Sequence, residues 1–210
     1  MDIIHLGHSS FKIRSRQASV ITDPFAPDLI GLKFPKVDAD IVTISHDHQD
    51  HNQANLVGNN PIIFTGPGEY EVKGIKILGL TTFHDQSGGS ERGLNTVYQF
   101  KMDNLTIVHL GDLGNKLTTE QVERLNGADI VMVPVGGIHV LDAKQAAEVI
   151  AQLDPRIVIP MHYYVDGLKF DINPVTNFLK EMGKEDCQPQ PKLSITKDKL
   201  PEQLEIIVLE

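Results

Sequence analysis

The sequence predicts a layered α/β fold, and three observations carry that expectation. Short β-branched runs dominate the chain, helical stretches are fewer, and two sequence phrases recur in the same order in each half. The strand-like runs are Asp2–Leu6, Ser10–Arg14, Ser19–Thr22, Asp40–Ile44, Ile62–Phe64, Ile75–Leu80, Val97–Lys101, Leu105–Leu110, Asp129–Val133, Ile157–Ile159 and Leu204–Leu209. Their Val, Ile, Thr and Phe side chains suit a pleated, half-buried surface. Helices are expected at Thr118–Leu125, opened by a Thr-Thr-Glu capping pattern, and at Asp142–Leu153, which is Ala-rich with Asp142 as its N-cap. A third is expected at Pro174–Met182, where Pro174 follows Asn173 in the first turn. Gly66-Pro67-Gly68, Gly88-Gly89 and Gly136-Gly137 mark joints, and Gln188-Pro189-Gln190-Pro191 reads as a loop. No low-complexity linker interrupts the series, so one domain spanning residues 1–210 is expected.

The recurring phrases are Ile4-His5-Leu6-Gly7-His8, which returns as Val108-His109-Leu110-Gly111-Asp112, and Ala39-Asp40-Ile41-Val42, which returns as Ala128-Asp129-Ile130-Val131. They suggest two similar halves, although common strand words also coincide by chance. A strand ending in Leu-Gly places its next polar residue at a sheet rim, where loops converge.

Composition narrows the function. With 40% hydrophobic and 22% charged residues, the 210-residue chain has the make-up of an ordinary globular protein with a sizeable core. Its formal charge of -9 repels phosphate backbones and anionic lipid, which disfavours nucleic-acid and membrane partners. The single cysteine, Cys187, can form neither an internal disulfide nor a thiolate cluster, so any metal must use His and carboxylate. The first residues, Met1-Asp2-Ile3-Ile4-His5, lack the basic and then apolar pattern of an export signal. The apolar window Ile130–Val140 is shorter than the roughly 20 residues of a spanning helix. A cytoplasmic protein is expected.

The strongest chemical signal is His46-Asp47-His48-Gln49-Asp50-His51, directly after a predicted strand. So many imidazoles and carboxylates at one strand end do not make a simple solvated face, because protonation would set like charges against each other; a cation resolves this. His46 and His48 lie two apart, project to one side of an extended backbone and can grip one ion, while Asp50 and His51 can aim at a second. The donor types suit zinc or iron better than calcium or magnesium.

This run resembles the signature of the metallo-β-lactamase superfamily, His-x-His-x-Asp-His. Thr82-Phe83-His84-Asp85, Leu110-Gly111-Asp112 and Ile159-Pro160-Met161-His162-Tyr163 resemble the family's further metal motifs, in family order. Gly7-His8-Ser9-Ser10-Phe11, Asp23-Pro24-Phe25, Gly66-Pro67-Gly68-Glu69-Tyr70 and Pro134-Val135-Gly136-Gly137 are similar to the short branch that includes bacterial ascorbate-phosphate lactonases. The resemblance implies an αββα sandwich, two mixed β-sheets face to face with helices outside and metals at one edge. It implies that His46, His48 and His84 bind one ion, that Asp50, His51 and His162 bind a second, and that Asp112 bridges them. Two divalent ions are expected, zinc foremost, with manganese and iron as alternatives.

Ions held this way lower the pKa of a bound water from about 16 to roughly 7 and supply hydroxide at neutral pH. The expected activity is therefore hydrolysis of an ester, lactone or phosphodiester of a small substrate, an anionic one included. Asp50 would orient the hydroxide, Asp23 would stand behind the ligands, and His5 and His109 would donate ring N–H groups from within apolar strands. His8 and His139 are expected near the mouth of the site, outside the first coordination shell, where they would meet substrate, with Tyr163 a further candidate proton donor. A diiron flavoprotein of this fold would carry Glu in place of His48. The competing class is a non-enzymatic metal-binding or ligand-sensing protein, which would hold metal without turnover. The sequence leaves a homo-oligomer open.

Overall fold

The structure is a computed structural model describing residues 1–210. In chain order the strands are β1 (Asp2–Gly7), β2 (Ser10–Arg14), β3 (Ser19–Thr22), β4 (Val37–Asp38), β5 (Ile41–Thr43), β6 (Val57–Gly58), β7 (Ile62–Phe64), β8 (Gly68–Val72), β9 (Ile75–Phe83), β10 (Leu94–Met102), β11 (Leu105–His109), β12 (Ile130–Pro134), β13 (Ile157–Met161), β14 (Leu193–Ser194) and β15 (Glu205–Ile206). The helices are α1 (Pro27–Ile30), α2 (Thr119–Arg124), α3 (Ala143–Leu153) and α4 (Val175–Glu181). One sheet runs β14-β1-β2-β3-β5-β7 and the other β15-β13-β12-β11-β10-β9-β8.

Both sheets are mixed. In the first, β1, β2 and β3 are antiparallel and β3, β5 and β7 parallel. In the second, β8 to β11 are antiparallel and β11, β12, β13 and β15 parallel. Every residue of β12 and β13 is buried, as expected of parallel strands covered on both faces. Alternation sorts them: Ile130 and Met132 face the first sheet with Ile3, Phe11 and Ile41, whereas Val131 and Val133 face the helices with Ala146, Val149 and Ile150. The α+β sandwich is thus the observed architecture. No helix is long and apolar enough to cross a membrane.

Capping chemistry sets the helix starts. Thr118 and Asp142 each accept from the backbone N–H three residues on, and Gln121 and Gln145 reach back to complete capping boxes. Pro174 is itself the N-cap of α4, with no side-chain cap, so it lies one step earlier than expected.

The structure differs from the sequence reading in four places. The Gly66-Pro67-Gly68 joint leads straight into β8, a half-exposed edge strand with little apolar signal, and Lys73-Gly74 turns it back into β9 with positive φ at both residues. β9 and β10 run past their apolar cores because their pairing continues to Leu94 opposite Phe83. Of Leu204–Leu209, only Glu205–Ile206 is strand. The expected helical layer outside the first sheet is reduced to the single-turn α1, a turn at Ala54–Leu56 and the β4–β6 ribbon. Ile21, Val42 and Ile44 on that face are few enough for Ala54 and Val57 to cover.

The sheets are joined beside the metal-motif edge by Tyr98 on β10. Its hydroxyl lies 3.2 Å from the carbonyls of Ile44, Phe64 and Gly66, and burial pushes its pKa up. One proton cannot serve three carbonyls at once, so the net gain is that of a single shared bond. Tyr98→Phe should therefore lower unfolding free energy by about 0.5–1.5 kcal/mol, read as a shifted urea midpoint at constant slope.

Candidate metal centre

The candidate ligands all follow strand ends at one edge of the sandwich, where short loops can converge. His46 to His51 follow β5, His84 follows β9, Asp112 follows β11, His162 follows β13 and His8 follows β1. Close backbone approach makes this possible. A methyl group at Gly111 would sit 2.3 Å from Asn95 Oδ1 and 2.6 Å from Ser45 Cβ, and one at Gly114 would sit 2.4 Å from the Asp85 nitrogen. The Asp112 turn is therefore pressed against the His46 and His84 loops, and only glycine fits on either side of it.

The result is a convergence on one oxygen. The Nε2 atoms of His51, His162, His84 and His46 lie 3.2, 3.2, 3.4 and 3.9 Å from Asp112 Oδ2. Donor atoms of His46, His48 and His84 form one group that could hold an ion, within 4.8 Å of one another; His8, Asp50, His51 and His162 form a second, and His46, His51 and Asp112 a third that joins them.

The outer partners decide which nitrogens are free. His51 donates its Nδ1–H to Asp23 Oδ2 at 3.0 Å, and Ser45 Oγ donates to the same oxygen at 2.6 Å. Ser45 Oγ then accepts from His46 Nδ1 at 2.9 Å. Asp23 thereby leaves the Nε2 atoms of both His46 and His51 without a hydrogen bond, facing the Asp112 carboxylate. Asp112 Oδ1 and both ring nitrogens of His8 are likewise buried without hydrogen-bond partners. Lone pairs turned toward a carboxylate inside a protein are repulsive, and a divalent cation is what such a set fits.

Ionisation carries the same message. Burial opposes a negative Asp112, yet His162 and His51 outweigh it and hold its pKa well below the ordinary value. Burial also opposes a charge on His51, but Asp112 and Asp23 raise its pKa well above normal. His46 and His8 are pushed down to about 3, chiefly by burial. Positive charge is thus wanted at the centre: with no ion there, a proton on His51 supplies it, whereas burial keeps His46 and His8 neutral and able to ligate.

The sequence reading overlooked several supports. Asn95, fully buried on β10, donates to the Leu110 carbonyl and to Thr82 Oγ1 and accepts from the Asp112 N–H, fixing the turn that presents Asp112. Its only sequence signal is an amide inside an apolar strand. Asp85 accepts from the N–H groups of Ser87, Gly89, Glu91 and Arg92 and so winds the 85–93 loop around its carboxylate. His5 and His109, by contrast, donate ring N–H groups as the sequence predicts, to the carbonyls of His8 and Ser9 at 3.0 and 2.8 Å.

Two candidates are displaced from their expected positions. His8 does not stand at the mouth: its side chain is 0% exposed, because the turn after β1 takes positive φ at Gly7 and His8 and carries the ring inward. Tyr163 turns away, its hydroxyl 3.5 Å from the Leu209 carbonyl, with burial pushing its pKa up to about 12. His139 is half-buried on the Gly137–Val140 turn, and its pKa is lowered by burial, then by Arg92 and His162. Because Asp23 sets two tautomers at once, Asp23→Asn should weaken metal binding by roughly 10–100-fold without unfolding the protein, measured by chelator competition alongside circular dichroism.

Comparison with known proteins agrees with this fold. Residues 2–162, from β1 to the last candidate ligand, match the family described as beta-lactamase superfamily domain. A UPF0173 metal-dependent hydrolase of Thermococcus onnurineus is 32% identical over 185 residues, covering 75% of this chain and 82% of that protein. A UPF0173 protein of Pyrococcus abyssi is 30% identical over 188 residues, covering 80% and 85%. The crystal structure of a Thermotoga maritima protein assigned to the metallo-beta-lactamase superfamily superposes with a TM-score of 0.83 at 36% identity, covering 99% of this chain and 97% of that one. The fold, the converging imidazoles and these matches together make the chain a member of the metallo-β-lactamase superfamily and a metal-dependent hydrolase.

Proposed function

We propose that the protein is a dinuclear hydrolase cleaving an ester, lactone or phosphodiester bond of a small substrate. The observation that carries this reading is the approach of four imidazole Nε2 atoms to one oxygen of Asp112, which suits a carboxylate shared between two ions. His46, His48 and His84 would hold one ion, Asp50, His51 and His162 the other, and Asp112 both. The mixture of imidazole and carboxylate suits zinc, with manganese and iron as alternatives. When bound, such ions supply an activated water at neutral pH and a Lewis acid for the carbonyl or phosphoryl oxygen.

The chain's own groups divide the remaining work. The side chain of Asp50 is 21% exposed, against 3% for Asp112, so it reaches the opening and can orient the attacking water and accept its proton. His139 stands where Arg92, His162, Asp112 and Asp50 all act on it, which suits contact with substrate at the rim. Arg92, fixed by the Asp85-held loop, gives that rim a positive charge suited to an anionic group. A cytoplasmic setting accords with the single free thiol, Cys187.

Elemental analysis should find two ions per chain, with His84→Ala and His162→Ala each emptying mainly one site; a single ion unaffected by either change would remove the dinuclear reading. Asp50→Asn should retain the His46–His48–His84 ion yet lose turnover by orders of magnitude on a panel of esters, lactones and phosphodiesters. Undiminished turnover would take Asp50 out of the chemistry, and metal binding with no turnover in the wild-type protein would favour a sensor.

A further inference from the structure

His8 is the buried titratable group that the assignment above leaves without a task. Its side chain is 0% exposed and neither ring nitrogen has a hydrogen-bond partner. An imidazole in that state bears the desolvation of each unsatisfied polar atom, a cost that persists only where something else compensates.

The backbone is built to hold the ring where it is. His8 adopts φ 54°, a left-handed conformation unusual for a residue other than glycine. Its carbonyl is clamped by the His5 ring at 3.0 Å and by the His162 N–H at 3.1 Å, and His109 holds the next carbonyl, that of Ser9, at 2.8 Å. His162 also has positive φ, 52°, so two strained residues joined by a backbone bond present their rings side by side, with centroids 4.2 Å apart. Phe170 closes the outer side of the His8 ring edge-on at 5.4 Å. Strain held by this many independent contacts marks a constrained side chain.

The surroundings show what the ring is constrained for. His8 Nε2 lies 3.5 Å from Asp50 Oδ2, too far for a good hydrogen bond, and one donor atom each from His8, Asp50, His51 and His162 lies within 4.8 Å of the others. We propose that His8 is a further protein ligand, the fifth, of the ion held by Asp50, His51, His162 and the shared Asp112. This rests on the dinuclear reading and adds an asymmetry to it. With Asp112 shared, His46, His48 and His84 give the first ion four protein donors, whereas His8 brings the second to five and leaves it less room for an outside ligand. The second ion would then be the tighter of the two.

The test uses the full chain stripped with chelator, titrated with zinc by calorimetry and with cobalt(II) by visible absorption, for wild type, His8→Asn and His8→Ala. Asparagine tolerates the left-handed backbone but its amide is too short to reach the ion. Wild type should bind in two steps; His8→Asn should keep one unchanged and weaken the other by at least about 100-fold, beyond the loss of an outer partner. The cobalt bands of that step should change in position and intensity. Two unchanged steps with unchanged cobalt bands in both variants would overturn the His8 assignment and leave the dinuclear reading intact, whereas a single step in wild type would overturn both. Should the variants not fold, imidazole nitrogen NMR of wild type decides: a large shift of one His8 nitrogen as the second site fills supports the proposal, and its absence refutes it.

Discussion

The site depends on keeping one buried carboxylate ionised. Asp112 is 2% exposed, and isolated burial of its charge would cost several kcal/mol. Its backbone N–H is bound by Asn95, its turn is wedged against two other loops, and its oxygen is the meeting point of imidazoles from three parts of the chain. Removing the positive charge from this centre would leave the carboxylate uncompensated; supplying more than one proton would set the imidazoles against each other. The loops around it are arranged to receive cationic charge at this point, and the sheets behind them keep the loops from relaxing outward.

Legibility in the sequence followed locality. The His46–His51 run is a local pattern, and His84, Asp112 and His162 each follow a recognisable strand, so these residues could be read by order and type. Asn95, Ser45 and Asp85 could not, because their importance lies in what they touch across the fold: a buried amide in a strand or an acid before a glycine-rich loop has no distinctive spacing. Likewise β8 is an edge strand whose pairing rather than composition defines it, and the thin outer layer on the first sheet reflects how little apolar surface there needs cover. His8 was legible as a candidate by its place after Leu-Gly, but the direction of its ring depended on a positive φ that composition does not reveal.

The recurring His-Leu-Gly phrase has a structural counterpart. Gly7 and Gly111 both take positive φ, and the next residue in each case, His8 or Asp112, joins the cluster. The histidines that open the two phrases do not act in parallel, however: both His5 and His109 brace the turn at His8 and Ser9. The second half therefore supports the first, and ligands drawn from residue 8 to residue 162 can assemble only once both sheets have docked. Ion binding is coupled in this way to the packing of the whole sandwich.

The Asp85 carboxylate gives the entrance a hub. Four backbone N–H groups of the 85–93 loop close on one side chain adjacent to His84, leaving the side chains of Gln86, Ser87 and Ser90 exposed with no part in holding the ligands. Such a loop can change its tip residues while its base stays fixed. Over evolutionary time the molecule could thus adopt new substrates by rewriting a few exposed positions, with the inherited ion-binding apparatus left undisturbed.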